Sequence, residues 1–342
     1  MGASAPGPGA PPQLAAPRPP VAGGAAARPA RRRTSLGDRR ERSGPSAALG
    51  ELAVAAPAEA TGRTASPEAP TELLVIEAGR PAGQYLRDLW RYRELFYFLA
   101  WRDVTVQYKQ AAIGVAWALV RPLATMLVFT VVFGRIARLP SNGVPYPVLV
   151  FAALLPWQFF ASALAGSSAS LLANASMVSK VFFPRMVIPI GAVVVSFVDF
   201  LMSLALLAGL MAWYGVLPTV RLAALPLFVL LAAATAVGGG LWFSALTVKY
   251  RDFTYIVPFV VQFGLYVSPV GFSSDVVPAR WRLLYSLNPL VGVIDGFRWA
   301  ILGRAFTLYW SGLFLAATVV ALLVISGLWY FRKAERSFAD VI

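Results

Sequence analysis

The chain is 342 residues long and 58% hydrophobic, with only 13% charged residues and a mean hydropathy of +0.65. That charged fraction is about half that of an average soluble domain, too little to cover a water-facing surface, so the composition excludes a soluble protein and indicates an integral membrane one. Cysteine and histidine are both absent, which excludes disulfides, zinc sites, haem ligation and thiol or imidazole nucleophiles; the net charge of +14 is a topology signal before it is a nucleic-acid signal.

Residues 1–84 contain no aromatic side chain and hold twelve of the 26 prolines within the first 70 positions, among Ala, Gly and Ser. Such a stretch buries too little apolar area to offset its ordering entropy, and it is expected to be a disordered Pro/Ala/Arg-rich tail. Ten Arg against seven acids, and the run Arg31-Arg32-Arg33-Thr34-Ser35, favour the cytoplasmic side; no apolar run matches a signal-peptide core. The run itself is a plausible basophilic-kinase target and a polybasic lipid contact.

Residues 85–110 change character. Leu86, Leu89, Trp90, Phe96, Tyr97, Ala100, Trp101, Val104 and Tyr108 recur at helical spacing opposite Arg87, Asp88, Arg91, Glu94, Arg102 and Asp103. A charged, Trp-rich amphipathic helix beside a span is predicted to lie in the membrane interface. Beyond it, six apolar segments approach the ~20 residues needed to cross a bilayer: 113–134, 147–171, 186–213, 222–248, 254–272 and 306–331. One side of the connections collects 13 basic residues, among them Arg121, Lys180, Arg185, Lys249, Arg251, Arg332, Lys333 and Arg336. The bias places both termini inside, and an even number of spans agrees.

Residues 272–304 are too polar to span freely and too apolar for a solvated loop. Asn288-Pro289 breaks the segment into two short helices, so either a re-entrant helical hairpin at the outer mouth of a pathway or an interfacial loop fits. The expected fold class is therefore all-α and integral to the membrane, with an N-terminal amphipathic interface helix, six spans and a re-entrant hairpin between spans five and six.

At this point the residues carry a resemblance. "FLAWRDVTVQYKQAAIGVAWALVRPLATMLVFTVVFGRI", "YPVLVFAALLPWQFF", "LLANASMVSKVFFPRMVIPI", "VKYRDFTYIVPF" and "SPVGFSSDVVPARWRLLYSLNPLVGVIDGFRWAIL" resemble the permease subunit of ABC polysaccharide exporters of the O-antigen, capsule and teichoic-acid type. The resemblance runs from Tyr85 to the end, making 85–342 the transmembrane domain; residues 1–84 have no counterpart in it. One departure is Arg121 before Pro122, where many relatives would carry an uncharged polar residue such as Gln.

The resemblance implies two permease copies and two copies of a separate ABC ATPase in a bacterial cytoplasmic membrane, with a glycan or lipid-linked glycan passing between the permeases. It implies that the amphipathic helix borders the inner entrance, that the loop after span two docks on the ATPase, and that the outer hairpin is a gate. Independently, no G-x-x-x-x-G-K-[ST] phosphate loop occurs, so ATP and Mg would be bound by the partner, and this chain is expected to have no cofactor and no catalytic activity of its own.

In the docking loop, Asn174 and Ser176 are helix-start candidates and Pro184 a terminator. Phe182 and Phe183 between Lys180 and Arg185 have the composition of a protein–protein anchor; phenyl groups in lipid with snorkelling cations fit the same pattern. The resemblance selects docking, with Ser179, Lys180, Phe182, Phe183, Pro184 and Arg185 as its residues. Few acids follow Asp103. Asp252, beside Lys249 and Arg251, is expected in a local ion pair, and Asp295 and Arg298 are spaced to pair on one helix face. Asp199, about 20 Å into span three, serves either a structural partner (a hydroxyl, a Trp N–H or an Arg) or the pathway.

Aromatic rings offer flat amphipathic faces to sugars, although belts at the interface are their ordinary use. Trp117, Trp157, Phe160 and Tyr266, with Arg121 and Asp199, are the candidate path residues; Trp281, Asn288, Pro289, Asp295 and Arg298 are the candidate outer gate. Three functions compete: a glycan-exporter permease, an ABC permease for drugs or small lipids, and a membrane-embedded glycosyltransferase. The last would need clustered carboxylates or histidines, and one deep carboxylate without an internal repeat disfavours a proton-coupled transporter. The expected partners are the ATPase, a second copy, the glycan and the bilayer, with no nucleic acid and no metal.

Overall fold

The computed structural model describes Gly2 and residues 91–109, 112–180 and 183–338. The chain divides into two units, 1–72 and 73–342, and every described helix belongs to the second. The tail expected at 1–84 lies, Gly2 apart, outside the described residues.

All regular structure among the described residues is helical. In chain order the α-helices are α1 (Arg93–Lys109), α2 (Ala112–Phe129), α3 (Tyr146–Ala173), α4 (Ala175–Lys180), α5 (Val187–Trp213), α6 (Leu225–Lys249), α7 (Phe253–Val267), α8 (Ala279–Tyr285), α9 (Pro289–Leu302) and α10 (Trp310–Glu335). α2 continues as a π-helix, Thr130–Ile136, in which Ala137 N–H donates to the Val132 carbonyl five residues back at 2.9 Å. Among the described residues, five stretches are long and apolar enough to cross a membrane: Leu119–Ile136, Tyr146–Ala173, Val187–Trp213, Val220–Lys249 and Trp310–Glu335. α7 is apolar and shorter, at 15 residues. The expected spans 113–134, 147–171, 186–213, 222–248 and 306–331 therefore each fall on a helix of sufficient length.

α3 is the centre of the fold, with 72% of its apolar window buried, against 6% for Leu119–Ile136. Pro145 and Pro147 start it, where a missing N–H leaves no helical bond unmade. Its run Val148–Leu155 is enclosed completely, and a helix that is apolar on every side is what a central position requires. Phe159 of α3 packs against Phe197 and Phe200 of α5, and Phe200 meets Phe297 of α9 edge-on at 6.1 Å. α6 and α10 approach closely through small residues: a Cβ on Gly238 would stand 2.9 Å from the Val324 nitrogen, and one on Gly327 2.7 Å from the Gly238 carbonyl oxygen. Beside this contact Trp242 Nε1 donates to Ser326 Oγ at 3.0 Å, and its ring stacks on Tyr330 at 4.3 Å.

One local expectation changes. Among the described residues Asp252 forms no ion pair; it is exposed at the start of α7, while the Lys249 ammonium lies 5.2 Å from the centre of the Tyr250 ring. A solvated carboxylate gains little from a neighbouring cation, so the aromatic face competes successfully.

Candidate functional site

Three places hold the residues singled out by the sequence. At one end of the bundle, α4 is a short helix that starts after Asn174, whose carbonyl accepts from the Met177 and Val178 amides. Ser179 and Lys180 are exposed. Phe182 lies outside the described residues. Phe183 is not an exposed anchor: it is 7% exposed, in a cluster with Val178, Met186, Leu241, Val248, Phe331 and Phe338. Phenyl burial drives this, because the chain after α10 folds Phe338 against Phe331, at 5.4 Å between rings, and offers an apolar pocket. Pro184 is buried between the end of α4 at Lys180 and the start of α5 at Val187, and its carbonyl accepts from the Val187 amide at 3.1 Å. Arg185 bonds twice to Glu335, its N–H donating to Glu335 Oε1 at 2.9 Å and its Nη1 to the Glu335 carbonyl at 2.7 Å.

The second place is Asp199. Its Oδ1 accepts from the Tyr108 hydroxyl and its Oδ2 from Gln107 Nε2 at 3.2 Å. Burial first, and the adjoining carboxylate second, hold the Tyr108 phenol protonated well above its usual range. Leu99 of α1 packs in the cluster that holds Met186 and Val187 at the start of α5, so α1 runs along α5 from its first turn to Asp199. Both donors are neutral, which satisfies a carboxylate without the desolvation cost of a second charge.

The third place is the segment 268–274 between α7 and the hairpin, irregular and largely buried. Buried backbone without helical partners must be met by other donors, and here side chains do so. Tyr285 Oη donates to the Val267 carbonyl at 2.8 Å, Tyr146 Oη to Gly271 at 2.6 Å, and Arg298 Nη2 and Nη1 to Val270 and Phe272 at 3.0 and 2.7 Å. Arg298 is fully buried and also reaches the Leu149 carbonyl on α3. Asn288 caps α9, accepting from the Leu290 amide at 3.1 Å, and donates from Nδ2 to Ser268 Oγ at 3.0 Å; Pro289 is the first residue of that helix. The expected Asp295–Arg298 pairing is not made: Asp295 accepts from Ser274 Oγ at 2.6 Å, because the guanidinium fork is drawn to carbonyls that have no other donor. Trp281, on α8, is half exposed with Arg280 over its ring at 5.9 Å. Arg221 closes the far end, donating to the Gly303 carbonyl at 2.9 Å over the Trp299 ring.

Span one seals against this segment. A Cβ on Gly271 would stand 2.8 Å from the Phe133 ring and 3.0 Å from Phe129, so only hydrogen fits there.

The path candidates are not gathered into one surface. Arg121 and Tyr266 are exposed, Phe160 is half-buried, and Trp157 is enclosed, its ring tip 2.7 Å from where a Gly264 Cβ would be; an enclosed indole lines no open path in this conformation. The Trp117 side chain lies outside the described part. Sequence reasoning missed Gln107, Tyr108, Tyr146, Ser274 and Tyr285. The tyrosines near span ends read as belt residues, and only their pairing with a polar backbone distinguishes them.

Comparison with known proteins now bears on these places. The ABC-2 type transporter family matches residues 94–302, which take in all of α1 but its first residue and every helix from α2 to α9. The chain is 27% identical to the O-antigen export system permease protein RfbA of Klebsiella pneumoniae over 242 residues, 70% of this chain and 92% of that protein. It is 27% identical over 215 residues to the protein of the same description from Myxococcus xanthus, covering 62% and 82%. It is 23% identical over 206 residues to the polysialic acid transport protein KpsM of Escherichia coli, covering 59% and 78%. With more than half its length matched and its long helices apolar enough to cross a bilayer, the chain is a multi-pass membrane protein that belongs to the ABC-2 type transporter family.

Proposed function

We propose that this chain is the membrane-spanning permease of an ATP-driven exporter that moves a polysaccharide or lipid-linked glycan across the bacterial cytoplasmic membrane. The observation that carries this reading is the similarity, over 92% and 82% of their lengths, to permeases named for O-antigen export. In this reading two copies pair with two copies of a separate ATPase, which binds ATP and Mg. The exposed residues Ser179 and Lys180 beside Arg185 form the docking surface, both termini face the cytoplasm, and α7 with the segment 268–274 makes the sixth crossing. At 15 residues α7 covers about 22 Å of a core ~30 Å thick. The side-chain donors to the Val267, Val270, Gly271 and Phe272 carbonyls let the remaining backbone sit at membrane depth without helical bonds. The hairpin α8–α9 closes the outer mouth, and Arg121 and Tyr266 border the path.

The test is a chromosomal deletion of this gene in its own host, with glycan followed on the cell surface and inside the cell. Loss of surface glycan with intracellular accumulation, restored by the full chain only when the partner ATPase keeps its phosphate-loop lysine, is expected. Unchanged surface glycan, with loss of resistance to a drug or of a small lipid instead, would sink the glycan reading.

A further inference from the structure

We infer that α10 is a rigid strut joining the docking segment at one end of the bundle to the outer hairpin at the other, with Glu335 and Arg185 the positioning pair at its inner end; this rests on the docking and export reading above. At the inner end, two hydrogen bonds tie the residues together: Arg185 N–H to Glu335 Oε1 at 2.9 Å, and Arg185 Nη1 to the Glu335 carbonyl at 2.7 Å. That carbonyl is among the last four of α10, which have no partner within the helix. Phe183, Phe331 and Phe338 are buried together around the same point. The docking segment and the end of α10 therefore share both hydrogen bonds and a core.

At the outer end, α10 touches the hairpin with no room to slide past it. A Cβ on Gly292 of α9 would stand 2.6 Å from the Ala316 Cβ, and one on Gly312 would stand 2.5 Å from Ser286 Oγ. Between the two ends lie 26 residues without proline, a rod of about 39 Å. The opposite face is a stripe of exposed apolar residues, Phe314, Leu322, Ile325 and Trp329. α3 and α5 also leave the docking segment, but α3 is walled in by its neighbours, and although the apolar windows of α5 and α10 are similarly exposed, at 33% and 22% buried, it is α10 that abuts the hairpin at Gly292 and Ser286. α10 is interlocked with α6 at Gly238 and Gly327, so the two move as one stiff unit, and a push on the segment is carried along it to the hairpin. Two ends tied to one stiff element form a physical coupling that a substitution at either end interrupts.

The experiment uses the full-length permease with its ATPase in proteoliposomes, measuring co-purification, ATP turnover and glycan exported per ATP. Glu335→Ala, which removes the acceptor for the Arg185 amide, is expected to keep the complex and most ATP turnover while export per ATP falls about tenfold. Glu335→Gln, which keeps an acceptor oxygen, is expected to stay within about twofold of the parent. A parental export ratio in Glu335→Ala, or a Glu335→Gln variant as defective as the alanine, overturns the inference. Should Glu335→Ala not accumulate, the outer end carries the test: Gly292→Ala uncouples, and adding Ala316→Gly restores coupling by returning the space. A coupled Gly292→Ala, or no rescue by the second change, overturns it equally. A parent that neither binds the ATPase nor exports glycan sinks the underlying reading, whereas a working parent with working variants sinks the strut alone.

Discussion

Arg298 has protein on every side, and its guanidinium contacts three carbonyl oxygens, those of Leu149, Val270 and Phe272. Removing it orphans those acceptors at once, at about 1–3 kcal/mol each for a buried polar group without a partner, against a typical margin of ~5–15 kcal/mol. Arg298→Met should fail to accumulate in membranes. Arg298→Lys keeps the cation but loses the fork and should give folded protein of clearly lower thermal stability; equal melting of parent and Lys variant by detergent-solubilised thermal shift contradicts this. Asp199 is held by the neutral donors Tyr108 and Gln107. Asp199→Asn should melt within about 1 kcal/mol of the parent, and Asp199→Leu should lose about 1–3 kcal/mol, because both donors lose their acceptor. A fully stable Asp199→Leu protein with collapsed export would place the carboxylate in the path instead. The depth of Asp199 is legible from the run "VVVSFVDFLMSL", but its partners are not, because they stand 91 and 92 positions earlier on a helix whose pattern reads as lying flat in the interface.

At the scale of elements, hydrophobic runs locate the long helices because crossing length is written locally. The two-helix break at Asn288-Pro289 is legible for the same reason: a cap and a proline act within one turn. Phe183 misleads, since flanking cations suggest exposure, and only the return of Phe338 onto Phe331 supplies its pocket. The buried and exposed sides of the segment 179–185 predict different things. Phe183→Ala should cost about 3–5 kcal/mol of stability through the cavity it leaves, seen as a lowered melting temperature without the ATPase present. Lys180→Glu, at an exposed position, should leave melting within about 0.5 kcal/mol and weaken co-purification with the ATPase. Normal ATPase binding by the Lys180→Glu variant would move the docking surface elsewhere. The Asp295–Arg298 pairing fails as a forecast because a spacing of three residues cannot report carbonyls left bare 26 and 28 positions away.

For the whole molecule, the absence of a phosphate loop predicts that the purified chain hydrolyses no ATP; robust turnover by contaminant-free protein would refute the division of labour with a partner. Deleting residues 1–80 should leave glycan export intact and alter at most its regulation, as the tail's arginines contribute about 1 kcal/mol each only near an anionic surface. Loss of export at normal membrane levels would make the tail part of the machine.

The π-helical turns at Thr130–Ile136 change the phase of span one. Each π turn consumes one residue more than its α counterpart, and one residue on an α-helix is a rotation of about 100°. Side chains beyond Phe129 therefore face directions that an α-helical wheel drawn from Leu119 would assign to their neighbours. Because the chain holds no cysteine, cysteines introduced singly along this span carry no background. Their labelling should follow one helical period as far as Phe129 and then slip out of step, while excising one residue from 130–136 should bring the two halves back into register.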